Sequence, residues 1–474
     1  MTLPSPLTKN NENEVPLPGL TAALIPVISL VGALWFSVVY LREYELSTHI
    51  PLIFGTIVAS ITAMIMGFKW KEIEEGMVKG IGLAMNAILI LLIIGLLVSS
   101  WIQAGIVPTM IAYGLDLLSP SVFLAATTLI CALVSLATGS SWSTAATVGI
   151  ALIGVGEGLG IPRPMVAGAI ISGAYFGDKM SPLSDTTNLA PAMAGADLFD
   201  HVRHMLYTTG PSMVISLIIY SFMGIGGAGD PDTGKIDAIH TAIESAYVIH
   251  PLLLLPPLMV IAMVVLRLPP LPALIGGAIL GGLLAIVVQG DHPGEVLAAA
   301  YSGVELSTGH ELVDNLLSRG GLKSMFSTVA LIICALSFGG VMERTGMLAA
   351  IASAILKLAK GVGGLVAVTL GTCLGMNIIA SDQYLAIVVP GRMYQKAYQK
   401  KRLAPVNLSR ALEDSGTLTS ALIPWNTCGA FMIATLGLEP WVYVPYCFLN
   451  LLNPLISALY GFTGITMKKL DRVE

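Results

Sequence analysis

The sequence predicts an all-α polytopic membrane protein, built from two repeats of opposite membrane topology that contain broken helices. Three observations lead to this prediction. First, the chain of 474 residues is 55% hydrophobic and only 11% charged, with a mean hydropathy of +0.81, whereas about a quarter of the residues in a soluble domain are charged. Second, apolar stretches of about 20 residues, the length that crosses a bilayer as a helix, recur along the chain. Third, polar interruptions recur at nearly equal spacing in the two halves.

The order of these stretches divides the chain into six parts. Residues 1–18 are polar, and they lack the basic start, short apolar core and small-residue cleavage site of a secretory signal. The predicted parts are an N-terminal tail (1–18), N-terminal transmembrane helices (19–68), a first repeat (69–226), a linking loop with two transmembrane helices (227–290), a second repeat (291–467) and a C-terminal tail (468–474). We expect roughly ten to thirteen crossings, since several stretches are interrupted.

Loop charges predict the orientation of the chain. Three lysines lie in the connection 69–79, and six basic residues lie in 392–410. Basic connections face the cytoplasm, which predicts cytoplasmic N- and C-termini in the inner (plasma) membrane. The connections 230–250 and 291–319 are acidic and poor in lysine and arginine, so we expect them on the outer side.

An internal repeat relates the two halves. A shift of 241 positions, or of 240 for the last pair, superposes Gly105 on Gly346, Leu133 on Leu374, Ser140 on Ser381, Pro164 on Pro405 and Thr187 on Thr427. The first repeat starts after a basic connection and the second after an acidic one, so the two begin on opposite sides of the membrane. Inverted repeats of this kind are typical of secondary transporters, whose broken helices meet near the membrane midplane.

The first polar interruption of each repeat is rich in small and hydroxyl residues. Thr-Gly-Ser-Ser-Trp-Ser-Thr occupies 138–144, and Asn-Ile-Ile-Ala-Ser-Asp-Gln-Tyr occupies 377–384 at the corresponding place. Such a run can unwind a helix, freeing carbonyl oxygens and bringing hydroxyls to the N-terminus of the half-helix that comes next. Small residues also allow close helix packing in membranes, and this alternative stays open for Ser143.

The second interruption carries carboxylates. It reads Asp-Lys-Met-Ser-Pro-Leu-Ser-Asp-Thr-Thr-Asn at 178–188, and its counterpart at 413–428 starts with Glu-Asp and ends with Asn-Thr-Cys. Carboxylate, hydroxyl and carbonyl oxygens suit a hard cation, and a membrane-embedded carboxylate can carry a proton as well. The candidates for coupling a cation to a proton are Asp178, Asp185, Asp382 and Asp414.

The predicted site combines both interruptions of both repeats. The expected cation ligands are Asp178, Asp185, Thr186, Thr187, Asp382, Asn426 and Thr427. The residues expected to line the path of the substrate are Ser140, Ser141, Thr144, Ser181, Asn188, Asn377, Ser381, Asp414 and Thr417. A structural alternative pairs Asp178 with Lys179, or lets Ser184 or Asp185 cap a helix. Because Asp178 and Asp414 do not coincide in the repeat register, we expect the two halves to be specialised.

Other chemistries find no support in the sequence. The five cysteines lie in apolar runs without Cys-x-x-Cys or Cys–His spacing, so we expect free, buried thiols. Neither a P-loop nor a Gly-x-Gly-x-x-Gly context indicates nucleotide binding, and no basic patch with interleaved aromatics indicates nucleic acid. No nucleophile with a paired base indicates an enzyme. We therefore expect no cofactor, and transport driven by ion gradients.

Two stretches resemble a known transporter family. Gly-Ser-Ser-Trp-Ser-Thr at 139–144 and Gly-Ala-Tyr-Phe-Gly-Asp-Lys-Met-Ser-Pro-Leu-Ser-Asp-Thr-Thr-Asn-Leu-Ala-Pro at 173–191 are similar to the NhaC-type sodium/proton antiporters of bacteria, and the resemblance covers nearly the whole chain. It implies the ion-transporter superfamily, with re-entrant hairpins and broken helices in two inverted repeats, a homodimer, and a transport domain that moves against a scaffold. The family includes a branch that exchanges malate for lactate together with sodium and protons.

The resulting hypothesis is exchange of Na⁺ for H⁺ across the lipid bilayer by alternating access. Carboxylates in the broken segments couple the two ions. The alternative is an organic-acid exchanger for malate or lactate, in which hydroxyls, backbone amides and half-helix N-termini hold a substrate carboxylate. That alternative would gain from a positive side chain at the site. Lys179 is the candidate, because Arg392 and Arg410 are predicted to be cytoplasmic.

Overall fold

The computed structural model describes residues 17–37, 48–227, 233–266 and 268–470. These residues form helices joined by turns and short connections, with an isolated β-bridge between Leu403 and Lys469, which confirms the all-α prediction. The helices before α4, the first helix with a counterpart 241 residues later, are α1 (Leu20–Trp35), α2 (His49–Ile65) and α3 (Trp70–Leu83).

The first repeat and the segment after it contain thirteen described α-helices. Those of the repeat are α4 (Met85–Gln103), α5 (Ile106–Leu117), α6 (Pro120–Thr138), α7 (Ser141–Thr144), α8 (Ile150–Gly158), α9 (Arg163–Met180), α10 (Asp185–Ala194) and α11 (Leu198–Gly227). Those between α11 and α17, the counterpart of α4, are α12 (Thr233–Ala246), α13 (Leu255–Val265) and α14 (Pro270–Leu284) within the predicted link, and α15 (Pro293–Ser302) and α16 (Glu311–Leu317) within the predicted bounds of the second repeat. A π-helical turn, Ala145–Gly149, joins α7 to α8.

The second repeat has the same order of elements. Its helices are α17 (Phe326–Arg344), α18 (Met347–Leu356), α19 (Gly361–Ile379), α20 (Gln383–Lys400), α21 (Pro405–Leu412), α22 (Thr427–Leu436), α23 (Pro440–Tyr443) and α24 (Phe448–Thr463). A π-helical turn, Glu413–Thr417, comes directly after α21. Both repeats therefore contain a π-helical turn, although at different places in the order.

The membrane crossings are assigned from length and hydropathy. Six of the described helices are long and apolar enough to cross a bilayer, and two further helix pairs would do so as bent spans, with bends of 92° and 85°. Apolar side chains such as Phe222, Val287 and Leu455 are exposed on the surface, as contact with lipid requires. The ten to thirteen predicted crossings included interrupted stretches, which the structure divides into shorter helices.

The helix bounds reproduce the internal repeat. Helices α17, α18 and α19 each begin 241 residues after α4, α5 and α6. Beyond the turn at the end of α6 and of α19, the offset becomes 242. The N-cap of α7 is Ser140 and that of α20 is Asp382, while the N-caps of α10 and α22 are Ser184 and Asn426. One extra residue in the turn between α19 and α20 accounts for the change.

Three residue pairings predicted from the sequence are therefore wrong by one or two positions, and one of them is Pro164 with Pro405, since Pro405 corresponds to Arg163, the first residue of α9. Ser381 corresponds to Gly139 and not to Ser140, and both have a positive φ, of 59° and 69°, just before the N-cap. Thr427 corresponds to Asp185, two residues before the threonine that we expected, because each is the first residue of its helix. A constant shift cannot accommodate an inserted residue.

The first helices of the two repeats run antiparallel. The N–H of Gly321, just before α17, donates to the carbonyl of Gly95 in the second half of α4 at 2.8 Å. Near the other end of α17, Gly340 packs against Gly76 in α3, which precedes α4. Since α4 and α17 hold equivalent places in the sequence and point in opposite directions, the repeats are inverted, as predicted.

Each repeat contains a hairpin beside a broken helix. In the first repeat, Gly156 near the end of α8 lies against Phe123 near the start of α6, so the chain returns along α6. The same glycine touches Val166 at the start of α9, and Gly173 further along α9 touches Thr128 in α6, so α9 runs parallel to α6. Helix α9 is then interrupted before α10. The corresponding elements of the second repeat are the hairpin α19–α20 and the interrupted α21–α22.

Candidate functional site

The tip of the first hairpin turns at a glycine. Helix α6 ends at Thr138, and Gly139 adopts a left-handed conformation with φ of 69°, which glycine reaches without the steric penalty of a Cβ. A Cβ at this position would also lie 2.8 Å from the backbone of Leu183. Ser140 caps α7, its hydroxyl accepting a hydrogen bond from the N–H of Ser143 at 3.2 Å. The tip therefore touches the interruption between α9 and α10 directly.

Asp178, near the end of α9, faces the N-terminus of α7. One of its carboxylate oxygens accepts hydrogen bonds from the hydroxyl of Ser141 at 2.6 Å and from the N–H of the same residue at 3.2 Å. A negative charge is stabilised there, because the first N–H groups of a helix lack helical partners. The structural alternative that paired Asp178 with Lys179 is wrong, since Lys179 bonds Asp414.

Side chains after Asp178 shape the interruption itself. The hydroxyl of Thr187 donates to the carbonyl of Lys179 at 2.9 Å. The amide of Asn188 donates to two carbonyls of the turn at 2.8 and 2.7 Å, and the hydroxyl of Ser181 accepts from an N–H of the turn at 3.3 Å. Carbonyls that lose their helical partners where a helix ends are thus satisfied. These three predicted site residues hold the broken helix in shape.

The tip of the second hairpin uses a carboxylate as its cap. Asp382 accepts hydrogen bonds from the N–H groups of Tyr384 at 2.9 Å and Leu385 at 3.1 Å. Thr427, at the start of α22, donates its N–H to the carbonyl of Ser381 at 3.0 Å and its hydroxyl to Asp382 at 3.4 Å. The buried hydroxyl of Ser381 has no hydrogen-bond partner within the described residues.

Two asparagines tie the second hairpin to its broken helix. Asn426 caps α22 by accepting from the N–H of Cys428 at 3.0 Å, and its amide donates to the side-chain oxygen of Asn377 at 3.0 Å. The amide of Asn377 in turn donates to the carbonyl of Gly416, in the π-helical turn, at 2.8 Å. Both asparagines therefore position the tip, as capping and cross-linking side chains.

The carboxylates occupy complementary places in the two repeats. At the offset of 242, Asp178 corresponds to Ser420, and Ser141 corresponds to Gln383. The hydroxyl of Ser420 donates to the side chain of Gln383 at 3.3 Å, so the same two places touch in both repeats, with a charge in one repeat only. Asp382, in turn, corresponds to a serine of the first repeat. Each junction of hairpin tip and broken helix thus contains at least one carboxylate, at places that differ between the repeats, and the halves are specialised, as expected.

A cavity of about 470 Å³ lies where the two junctions meet. The predicted site residues in its lining are Ser140, Asp178, Asp185, Thr186, Asp382 and Thr427. Apolar residues that include Leu83, Ile90 and Val264 form another part of the wall. The lining contains three carboxylates and, among the residues that the structure describes, no lysine, arginine or histidine. Such a cavity attracts cations.

Each hairpin tip also touches the broken helix of the other repeat. Trp142, in the first tip, stacks on Phe431 of α22 with ring centroids 4.0 Å apart. Tyr384, in the second tip, places its hydroxyl 3.5 Å from the carboxylate of Asp185 at the start of α10. The two hairpins and the two broken helices therefore form one packed unit.

The other ten predicted site residues lie outside the cavity lining. Those not yet placed are Thr144, whose hydroxyl donates to the carbonyl of Ser140 at 3.0 Å, and the buried Asp414 and Thr417. Most of the ten support the tips and interruptions from behind, through the hydrogen bonds described above. The sequence thus predicted residues that lie in or next to the cavity, but it did not distinguish the residues that line the cavity from those that support its wall.

A buried charge cluster lies behind the cavity. Lys179 is fully buried and donates to Asp414, and the hydroxyl of Thr208 donates to the same carboxylate oxygen at 2.9 Å. Arg410 is 1% exposed and lies 3.9 Å from the other oxygen. Arg410 therefore lies inside the protein, one turn before Asp414 on the same helical run, and the side of the membrane on which it lies stays a prediction.

Glu413 is a buried carboxylate that was not among the residues predicted from the sequence. Its side chain is fully buried, and neither of its carboxylate oxygens has a hydrogen-bond partner within the described residues. The hydroxyl of Thr417 is unpartnered in the same way. Both residues belong to the π-helical turn Glu413–Thr417, and such turns are frequent at functional sites. The signal that could have found Glu413 was an acidic residue inside a membrane segment.

Comparison with known families identifies the chain. Its sequence matches the profile of the Na⁺/H⁺ antiporter family over residues 173–465, which contain Asp178, Asp382 and both interruptions of the second repeat. The chain belongs to the Na⁺/H⁺ antiporter family. A relative within this family, the Na⁺/H⁺ antiporter NhaC of Alkalihalophilus pseudofirmus, is 39% identical over 426 residues, which are 90% of this chain and 92% of the relative. The predicted NhaC-type resemblance is confirmed.

Relatives of this Na⁺/H⁺ antiporter family member differ in the solutes that their names give. The malate-2H⁺/Na⁺-lactate antiporter of Bacillus subtilis is 38% identical over 89% of this chain and 90% of its own length. The arginine/ornithine antiporter ArcD of Halobacterium salinarum is 38% identical over 96% of this chain and 94% of its own length. A profile described as C4-dicarboxylate anaerobic carrier matches residues 6–225. Antiport is common to the three relatives, whereas the solute is not.

Proposed function

We propose that this protein exchanges Na⁺ for H⁺ across the membrane by alternating access. The observation that carries the proposal is the meeting of carboxylates from both repeats, Asp178 and Asp185 from the first and Asp382 from the second, around one cavity. Oxygen ligands suit a hard cation, and ionisable residues within a membrane mark ion and proton pathways. Membership of the Na⁺/H⁺ antiporter family supports the same conclusion.

The cation binds at the junctions between hairpin tips and broken helices. At the first junction, Asp178 supplies the charge, Ser141 and Thr186 supply hydroxyls, and Asp185 supplies a second carboxylate. At the second junction, Asp382 supplies the charge, and Thr427 lies 3.4 Å from it. Thr187 and Asn426 hold the interruptions open. Each junction therefore offers at least one carboxylate, a hydroxyl and the N-terminus of a half-helix within one small volume.

Coupling arises from the cost of an unpaired charge in these surroundings. A carboxylate that is removed from water is unstable as an anion unless a partner neutralises it. Between the two faces of the membrane, the site therefore carries either Na⁺ or a proton. Loss of the proton on one side permits Na⁺ to bind, and protonation on the other side releases Na⁺, so that the two ions move in opposite directions.

The moving part is the packed unit of hairpins and broken helices. The contacts of Trp142 with Phe431 and of Tyr384 with Asp185 hold this unit together. We propose that it moves against the remaining helices, α4 and α17 among them, in an elevator-like step. The homodimer expected from the family resemblance remains part of this proposal, and the mass of the detergent-solubilised particle tests it.

An organic solute is the second candidate cargo. The cavity of about 470 Å³ is larger than a bare ion requires and lies within the range of small-molecule sites. Two relatives are named for organic solutes, malate and lactate in one and arginine and ornithine in the other. Lys179, the residue that would favour an organic acid, is engaged by Asp414. The acidic lining favours a cationic solute, or an organic acid only when Na⁺ separates it from the aspartates.

The experiment that tests the proposal uses purified protein in liposomes that enclose a pH-sensitive dye. We expect an imposed Na⁺ gradient to move protons in the opposite direction. Asp178→Asn should slow this movement at least about tenfold, because it removes a charged ligand worth more than about 1.4 kcal/mol. Asp116→Asn is the matched control, since Asp116 is 61% exposed, lies beside His240 and does not line the cavity. It should exchange like the parent.

Parallel liposomes receive malate, lactate or arginine in addition to Na⁺. Proton movement with Na⁺ alone supports simple Na⁺/H⁺ exchange. If protons move only when one of the organic solutes is present, the second candidate replaces the first. Unaltered exchange in both Asp178→Asn and Asp382→Asn would falsify the role of these carboxylates.

A further inference from the structure

A second pocket, of about 510 Å³, lies at the start of α11, apart from the transport cavity. The start of α21 and the segment after α24 complete its wall. Its lining includes Asp200, Arg203, His204, Tyr207, Thr466 and Lys468. None of them lines the transport cavity. The pocket takes no part in the proposed transport step.

The pocket lies at the level of the lipid headgroups. Helix α11 is among the helices long and apolar enough to cross the membrane, and the pocket is formed by its first turns. Tyr207 is 53% exposed at this level, where aromatic residues with a polar end gather in membrane proteins. A ligand in this pocket therefore meets the polar end of the bilayer and not its hydrocarbon core.

The surroundings of the pocket are basic. The N–H of Ala404 donates to the carbonyl of Lys468 at 2.9 Å, and the N–H of Leu470 donates to the carbonyl of Arg402 at 2.9 Å. These bonds bring Lys468 and Lys469 beside the basic turn 400–402. Positive residues concentrate on the cytoplasmic side of membrane proteins, where anionic lipids create a negative surface.

One residue of the pocket lining is a buried histidine with an unpartnered ring nitrogen. His204 is 5% exposed, and its Nε2 has no hydrogen-bond partner within the described residues. Buried polar atoms in proteins are nearly always hydrogen-bonded. Arg203 and Lys468, both exposed, line the same pocket as His204.

We propose that this pocket binds the phosphate group of an anionic lipid, with a phosphoglycerol headgroup as the preferred ligand. Arg203 and Lys468 neutralise the phosphate, and Nε2 of His204 bonds one of its oxygens. Asp200, the acidic residue of the lining, accepts a hydrogen bond from a headgroup hydroxyl. The same carboxylate disfavours a bare phosphate ion, because that ion carries more negative charge than the phosphodiester of a lipid.

The bound lipid stabilises the segment after α24, whose Thr466 and Met467 bond the side chain of Arg410. The guanidinium of Arg410 donates to the hydroxyl of Thr466 at 2.9 Å and to the sulfur of Met467 at 3.4 Å, and both residues line the pocket. Arg410 is also the side chain that lies 3.9 Å from Asp414. Headgroup binding thus reaches the buried charge cluster through two side chains.

The test measures lipid binding and not transport. Purified protein in detergent receives phosphatidylglycerol, phosphatidylcholine or inorganic phosphate, and the thermal unfolding midpoint is measured against concentration. We expect phosphatidylglycerol to raise the midpoint of the parent while the other two do not. Arg203→Gln/Lys468→Gln should weaken this response at least about tenfold, because each basic residue adds appreciable attraction to an anionic headgroup. His204→Ala should weaken it as well.

The matched control is Arg392→Gln/Lys396→Gln, which removes two exposed basic residues outside the pocket. It should respond to phosphatidylglycerol as the parent does. An equal response in the pocket variant and the control overturns the proposal. A response to inorganic phosphate that equals the response to phosphatidylglycerol, and that the pocket variant loses, overturns the assignment to lipid. Native mass spectrometry of the retained lipid gives a second readout if a variant unfolds too early for the thermal measurement.

Discussion

Consecutive residues at the end of α9 serve different partners. Asp178 bonds Ser141 at the cavity, whereas Lys179 bonds Asp414 on another side of the helix. Successive residues of an α-helix point about 100° apart, so neighbours in sequence do not face the same surroundings. The carboxylate at the cavity is thereby kept separate from a lysine that would otherwise neutralise it. This separation is a property of the helix and not of either side chain.

The Lys179–Asp414 pair leads to a prediction about stability. Lys179→Met should lower the free energy of unfolding by about 3–5 kcal/mol, the usual cost of leaving one member of a buried ion pair unpaired. The double variant Lys179→Met/Asp414→Leu should recover part of the loss, because the carboxylate that Lys179 neutralises is removed with it, whereas the buried Arg410 then loses its contact with Asp414. Denaturant unfolding in detergent measures both. Lys396→Met, at an exposed position, is the control, and an effect of Lys179→Met no larger than that of the control contradicts the prediction.

Asp314, in the connection before the second repeat, leads to a prediction about pH. The N–H and the hydroxyl of Thr308 each donate to its carboxylate at 2.7 Å, and these bonds lower the pKa of Asp314 from its usual value. Because the folded pKa is the lower one, the bonds stabilise the loop above the unfolded pKa of about 3.9 and are lost as the pH falls through the folded pKa.

Hydrogen exchange of the segment 304–318 measures this effect. After correction for the intrinsic pH dependence of exchange, protection should be constant near neutral pH and should fall on acidification below about pH 4. In Asp314→Asn, protection should be lower at neutral pH and independent of pH over the same range. A parent whose protection does not change on acidification would show that the carboxylate does not hold the loop.

At the scale of elements, the hairpin tips depend on a left-handed residue. Gly139 and Ser381 occupy equivalent places with φ of 69° and 59°. The first tip is the more crowded, since a Cβ on Gly139 would lie 2.8 Å from the backbone of Leu183. The turn at each tip then starts a half-helix whose N-terminus faces the other elements of its junction.

Gly139→Ala should therefore impair both stability and exchange. A left-handed conformation costs an L-residue about 1–2 kcal/mol, and the crowding against Leu183 adds to this cost. Gly371→Ala is the control, because Gly371 lies within α19 with open space around it, where alanine is favoured over glycine by about 0.5–1 kcal/mol. The midpoint of thermal unfolding and the rate of Na⁺-driven proton movement should both be lower than in the parent for Gly139→Ala, and neither should be lower for Gly371→Ala. Equal behaviour of the two variants would contradict the role of the tip.

At the scale of the whole molecule, inversion relates the two repeats. The antiparallel course of α4 and α17 gives the two repeats opposite directions, and their junctions meet at one cavity. Both repeats contribute carboxylates to this cavity, Asp178 and Asp185 from the first and Asp382 from the second. Inverted repeats of this kind fit the alternating access that we propose for this protein.

The orientation of the molecule leads to a labelling prediction. Ser302→Cys and Lys400→Cys place exposed thiols in the acidic and the basic connections. In intact cells, a membrane-impermeant maleimide should label the first variant, and it should label the second only after permeabilisation. The five native cysteines are buried or half-buried, so the parent protein supplies a low background. The opposite pattern of labelling would reverse the predicted orientation.

Much of the fold can be read from short stretches of sequence. Hydropathy predicted the spans, loop charge predicted the inversion, and the polar runs at 138–144 and 178–188 predicted where helices break. These features are local, because the bilayer acts on each segment of about 20 residues almost independently of the others. For the same reason, the interruptions of both repeats can be recognised from their own residues, without knowledge of the contacts between them.

The partners of individual side chains depend instead on how all the helices pack. Lys179 and Asp414 are separated by 235 residues, and Trp142 and Phe431 meet across the two repeats. The single extra residue at the second tip changes the offset between equivalent residues of the two repeats by one. A constant shift of the sequence cannot reproduce this change. The rotation of each helix about its axis decides whether a side-chain oxygen lines the cavity or supports it from behind. That rotation is set by close packing among segments far apart in the chain, and for this reason the assembled structure was needed to separate Asp178 from Asp414.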